Sequence, residues 1–90
     1  MNITLTAAGK AICNEVWGAD GSSLLSARDR KAAFPEFKRR DFEFLHNLHC
    51  SRGAVDGSWR HIADLYDRSS PSVQEGFRVL AAVGLVEITR

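Results

Sequence analysis

Apolar residues follow two periods along this chain, and each change of period marks an element. Ile3-Thr4-Leu5-Thr6 alternates and carries β-branched residues, which predicts a short strand. Thr6 can then cap a helix running to about Trp17, in which Ala8, Ile12 and Val16 recur at helical spacing and Ala11 widens the stripe. Gly18 stands where that helix is expected to end, and Gly9 inside it costs about 1 kcal/mol against alanine. Ala19-Asp20-Gly21-Ser22 reads as a loop, after which Ser22 or Ser23 can cap a second helix through Leu24, Leu25 and Ala27 towards Ala33. Phe34 precedes a proline and is biased out of the helical region, so a boundary falls there. Pro35 suits the first position of a third helix from about Glu36 to Ser51, with Phe37, Phe44, Leu45 and Leu48 on its buried face and Phe42 at the margin. Arg52-Gly53 ends it.

From Ser58 the pattern becomes denser. Gly57-Ser58 gives a turn and a capping hydroxyl, and Trp59, Ile62, Ala63 and Tyr66 then form a helical stripe. Asp67-Arg68-Ser69 is a short polar joint. Ser70 is expected to cap the next helix with Pro71 in its first turn, where the missing N–H costs nothing. Val73, Phe77, Leu80 and Ala81 face inward, and Gly84 supplies a left-handed C-terminal position. Leu85 to Thr89 is extended and β-branched. A helix, a tight turn, a second helix and a strand in this order form the core of a winged helix-turn-helix domain, here over residues 58–84 of a single domain spanning 1–90.

Composition adds a constraint on partners. The 90 residues are 44% hydrophobic and 26% charged, which are ordinary globular proportions. The formal net charge is only +1, whereas phosphate contacts usually make a nucleic-acid binder more basic. Residues 28–40 hold six basic residues (Arg28, Arg30, Lys31, Lys38, Arg39, Arg40) against Asp29 and Glu36, a local balance of +4. Residues 41–90 hold five basic and seven acidic, a balance of −2. The basic segment therefore lies upstream of the helix-turn-helix, as either a solvated helix face or a phosphate contact. Cys13 and Cys50 are far apart without a CxxC, which fits free thiols in a reducing cytoplasm. The first residues have no signal-peptide pattern, and no apolar run approaches the roughly 20 residues needed to cross a bilayer.

Ile62-Ala63, Ser70, Ser72-Val73, Phe77, Leu80 and Gly84-Leu85-Val86 together resemble winged-helix transcriptional regulators of the MarR and ArsR kind, over about 30 residues in order and spacing. The resemblance implies a mainly α fold with a small β component. It also implies that the second helix of the motif lies in the DNA major groove. Ser70, Ser72, Gln74, Glu75 and Arg78 are then its outward residues, Gln74 suited to adenine and Arg78 to guanine or a phosphate. Ser70 and Ser72 suit a phosphate, as do Arg52, Arg60 and Arg68. Glu75 departs from the pattern, since these proteins often carry a basic residue there. It can accept from a cytosine amino group, or close a Ser72–Glu75 capping box. A wing needs two strands, and only one follows the recognition helix up to Arg90. Ile3-Thr4-Leu5-Thr6-Ala7-Ala8-Gly9 is similar to the "LTxxG" strand and helix that follow the wing in MarR-like proteins. The N-terminal strand is therefore expected to pair antiparallel with the C-terminal one, within a chain or between two.

His46, His49 and Cys50 share one helical face and offer zinc-type donors, but they lack a recognised ligand spacing, so neither a metal nor another cofactor is expected. No Walker loop, GxGxxG or GxSxG is present, and no carboxylate stands ready to orient a Cys50–histidine pair, so the chain does not read as an enzyme. Two functions remain. The first is a cytoplasmic transcription regulator binding double-stranded DNA, as a dimer because one winged helix reads a half-site. The second is a winged-helix module that binds protein, such as an adaptor or a phage-type inhibitor of a host complex, using an acidic face of Asp56, Asp64, Asp67, Glu75 and Glu87.

Overall fold

In the computed structural model, which describes residues 1–20 and 22–90, strand β1 (Asn2–Leu5) lies at the centre of the only sheet among those residues. Its alternation buries Ile3 and Leu5. Strand β2 (Ala54–Asp56) pairs with one edge of β1 and strand β3 (Val86–Thr89) with the other, all antiparallel, in the order β2-β1-β3. Asn2 stands opposite Thr89, Ile3 opposite Ile88 and Leu5 opposite Val86. The pairing of N- and C-terminal strands expected from the sequence is thus formed within one chain. β2 was not expected. Its three residues are too few to display a period, and the left-handed Arg52 (φ 62°) and Gly53 (φ 85°) turn the chain into it.

Five helices lie among the other described residues. Helix α1 (Ala7–Trp17) is capped by Thr6, whose Oγ1 accepts from the Gly9 amide at 3.1 Å and donates to the Gly84 carbonyl at 2.6 Å. Its buried residues are Gly9, Cys13, Val16 and Trp17, while Ala8 and Ala11 are exposed and Ile12 is half-buried. This corrects the expected stripe by a rotation of the helix, and Gly9 is the reason. A Cβ there would overlap the Leu85 carbonyl, so only glycine lets α1 lie so close to the chain entering β3. The Leu85 carbonyl also accepts from the Thr6 amide at 3.0 Å.

Helix α2 (Ala27–Ala33) begins later than expected, with Ser26 as its cap in place of Ser22 or Ser23. The amides of Leu24 and Leu25 instead donate to the Val16 carbonyl at 2.8 and 3.1 Å, satisfying an acceptor at the end of α1. The Ser22 hydroxyl and amide bind the Asp20 carboxylate and hold its pKa below the ordinary value. Helix α3 (Arg39–Cys50) also starts later than expected, because Phe37 turns inward first and Asp41 accepts from the Lys38 amide at 3.0 Å. Phe42 is buried with Phe44, Leu45 and Leu48, not marginal. Helix α4 (Trp59–Tyr66) is capped by Ser58 and closed by Asp67 in the left-handed region (φ 54°). In helix α5 (Ser70–Ala82) the cap is Ser69, not Ser70, so Ser70 and Pro71 occupy the first turn. A Ser72–Glu75 capping box therefore does not form. Gly84 (φ 81°) ends the segment, and the Leu85 amide returns to the Leu80 carbonyl.

The chain is mainly helical with one small antiparallel sheet, an arrangement compatible with a winged helix-turn-helix. One core joins sheet and helices through Ile3, Val16, Phe44, Leu48, Ile62 and Phe77, all fully buried. Phe44 stacks on Phe77 with ring centres 5.0 Å apart. Gly76 permits that approach, since a Cβ there would overlap the Phe44 ring.

Candidate functional site

The inward side of α5 is fixed by Val73, Gly76, Phe77 and Leu80, which leaves its opposite side open to a partner. On the flank between the two, the half-buried Ser70 and Gln74 and the exposed Arg78 follow one another at successive turns and are linked. Gln74 Nε2 donates to Ser70 Oγ at 3.2 Å, and Arg78 Nη2 donates to Gln74 Oε1 at 3.2 Å. The i,i+4 spacing brings them into reach, and the links narrow the rotamers each side chain visits. Ser72 is half-buried in the first turn, where its amide donates to the Ser69 hydroxyl at 3.4 Å.

The remaining sequence-derived candidates take different places. Glu75 is exposed and pairs with Arg40 of α3 at 3.4 Å. Arg68, in the joint between α4 and α5, pairs with Glu43 and lays its guanidinium 5.6 Å from the centre of the Phe44 ring. Arg60, in the first turn of α4, and Arg52, in the turn after α3, are exposed, and neither belongs to an ion pair among the described residues. Arg78 likewise has no carboxylate partner there. The electrostatics around the helix are therefore mixed. Arg40 and Arg68 are each matched by a carboxylate, while Arg52, Arg60 and Arg78 retain unopposed charge.

Sequence reasoning missed an apolar component of this surface. Val79 is 42% exposed and Val83 55% exposed. With Ala82 they continue the outer side of α5 beyond Arg78, and Pro71, Gln74, Glu75, Arg78, Val79 and Ala82 line a shallow groove of about 450 Å3. The signal was available: Val79 is two residues past the buried Phe77, a step of about 200° around a helix, which turns it outward.

The histidine and cysteine face of α3 is used for packing and local hydrogen bonds. His49 Nε2 lies 2.6 Å from the Gly18 carbonyl, Cys50 Sγ lies 3.5 Å from His46 Nε2, and the His46 ring is 4.9 Å from that of Trp17. Among the described residues, no three His, Cys, Asp or Glu side chains are arranged to hold a metal ion. Cys13 is buried beside them, and burial, aided by the nearness of Cys50, pushes its thiol up to about 11. Among the described residues no helix is long and apolar enough to cross a membrane. The chain matches no protein-family model, no curated protein and no solved structure.

Proposed function

We propose that the chain is a winged helix-turn-helix module that binds double-stranded DNA as a regulator of transcription, with α5 entering the major groove. The observation that carries this reading is the linked series Ser70–Gln74–Arg78, which climbs one flank of α5 from half-buried Ser70 and Gln74 to exposed Arg78. A glutamine amide and a guanidinium on adjacent turns offer the two side chains best suited to adenine and guanine edges, and their mutual hydrogen bonds pre-orient them. Ser70 and Ser72 at the helix start suit a phosphate, and the exposed Arg52 and Arg60 supply charge for the backbone. One such helix reads a half-site, so a dimer on a two-fold site is the expected assembly.

The test is a mobility shift with random duplex at low salt, followed by selection of a preferred site. Retention that falls steeply with salt is expected. Gln74→Ala and Arg78→Ala should relax site preference by about 1–3 kcal/mol per lost base contact without changing the melting temperature. Absence of retention at low salt overturns the reading.

The apolar run Val79, Ala82 and Val83 on the same helix favours a second reading, a module that docks on protein. Neutralisation of Arg40 by Glu75 and of Arg68 by Glu43 supports it, because it leaves α5 short of the charge a phosphate-tracking surface needs.

A further inference from the structure

A second concave surface lies away from α5, between α1, α2 and α3. It encloses about 820 Å3, within the size range of small-molecule sites. Trp17, Phe37 and Phe42 line it, all nearly buried, so they form an apolar floor. Arg30, Lys31 and Arg39 line it as well, and these belong to the basic segment that the helix-turn-helix does not use.

Two of the three cations, Arg30 and Lys31, have no carboxylate partner among the described residues. The Arg30 guanidinium sits 5.9 Å from the Trp17 ring centre and 6.0 Å from that of Phe42, held by two cation–π contacts. It forms no ion pair among the described residues, and its Nε is closed from solvent without an acceptor. Lys31 Nζ donates to the carbonyls of Pro35 and Phe37, at 3.4 and 3.5 Å. Arg39 is 95% exposed and stands 3.7 Å from Glu43. Among the described lining residues Glu43 is the one carboxylate, and Arg68 binds its other oxygen. Three cations against one carboxylate leave a surplus of two positive charges over an apolar floor.

We propose that this cleft binds a phosphate monoester carrying a flat ring, of the size of a nucleoside monophosphate. A phosphate monoester brings close to two negative charges at neutral pH, matching the surplus. Guanidinium groups suit its oxygens, Arg30 is already held in place, and the floor takes the ring. The same chemistry occurs in free mononucleotides and at the 5′-phosphorylated end of a nucleic-acid strand.

The experiment reads Trp17 fluorescence in the full chain carrying Trp59→Phe, which leaves Trp17 as the only tryptophan. Five probes are titrated: adenosine monophosphate, adenosine, inorganic phosphate, a 5′-phosphorylated oligonucleotide and its unphosphorylated twin. Saturable quenching by the monophosphate, with adenosine and phosphate each at least about tenfold weaker (1.4 kcal/mol), is expected. Arg30→Gln should weaken the monophosphate by about tenfold or more, while Arg90→Gln, outside the cleft, leaves it unchanged. If Arg30→Gln does not fold, Lys31→Gln on the exposed rim decides in its place. Preference for the phosphorylated oligonucleotide over adenosine monophosphate upholds the site and assigns its source to a strand end. Equal binding of phosphate and monophosphate, equal binding of the two oligonucleotides in the absence of monophosphate binding, or indifference to the Arg30 and Lys31 substitutions overturns the proposal.

Discussion

Helix α3 presents two sides that use the same residue types to opposite ends. Towards α5 it sends Phe44, which stacks on Phe77, and Arg40, which pairs with Glu75. Gly76 removes the last obstacle, and the surface closes. Towards α1 and α2 it sends Phe42 and Arg39, yet that side stays open over about 820 Å3. Phe42 and Phe44 are two residues apart, about 200° around the helix, so one short sequence supplies an aromatic to each side. The difference lies in the partner element. α5 brings its own apolar stripe, whereas α2 buries no residue and meets the core chiefly through the guanidinium of Arg30. An aromatic residue closes a contact only when the opposing helix offers apolar surface and a place for the backbone to come near.

The contrast can be broken first at the aromatics. Phe44→Ala should cost about 3–5 kcal/mol in urea unfolding, and Phe42→Ala clearly less, because water can fill the widened cleft. Equal costs would mean that the two sides are equally packed. Added volume gives the next effect. Gly76→Ala forces a methyl group into the Phe44 ring and should destabilise by about 1–3 kcal/mol, whereas Ala27→Val at the rim of the cleft should change the midpoint by less than about 0.5 kcal/mol.

Alkaline pH probes two buried groups chemically, Tyr66 on the closed side and Cys13 on α1. Burial raises Tyr66 from 10.0 to about 12, and Cys13 from 9.0 to about 11. Both groups hold their protons longer folded than unfolded, so their stabilisation is fully present below about pH 9 and is lost as pH rises to about 12. The melting temperature should fall across that window. Tyr66→Phe should remove its upper part and leave neutral stability intact, since the Tyr66 hydroxyl has no hydrogen-bond partner among the described residues. A small effect is also expected at the Arg68–Glu43 pair. Both side chains are partly exposed, and a double-mutant cycle should give no more than about 1 kcal/mol.

How legible these features were in the sequence depended on range. Thr6, Gly18, Ser58 and Gly84 act on their own neighbours, and each stands where local chemistry predicts. The Ser69–Ser70 pair offers two hydroxyls one residue apart, and local chemistry does not decide between them; Ser69 is the one that accepts from the Ser72 amide. Gly9 looks like a weak point in a helix until the Leu85 carbonyl is beside it, and that contact spans almost the whole chain. Leu24 and Leu25 carry helical spacing but are drawn off by the carbonyl of Val16. On the candidate α5 surface, Gln74 and Arg78 could be read from the motif, but the commitment of Arg68 to Glu43 and of Glu75 to Arg40 depends on how α3 lies across it. Charge alone pointed to residues 28–40 without revealing that three of its cations gather over Trp17, Phe37 and Phe42.

The central position of β1 also bears on the order in which the molecule can be assembled. During synthesis β1 emerges before both strands that flank it, with Ile3 and Leu5 bare until they are made. β2 reaches it only after α3, and β3 after every helix. Contacts of such long sequence separation close slowly, after the local helices have formed. The strand of this sheet that leaves the ribosome earliest is therefore secured last, and until then its two open edges are where another nascent chain could pair.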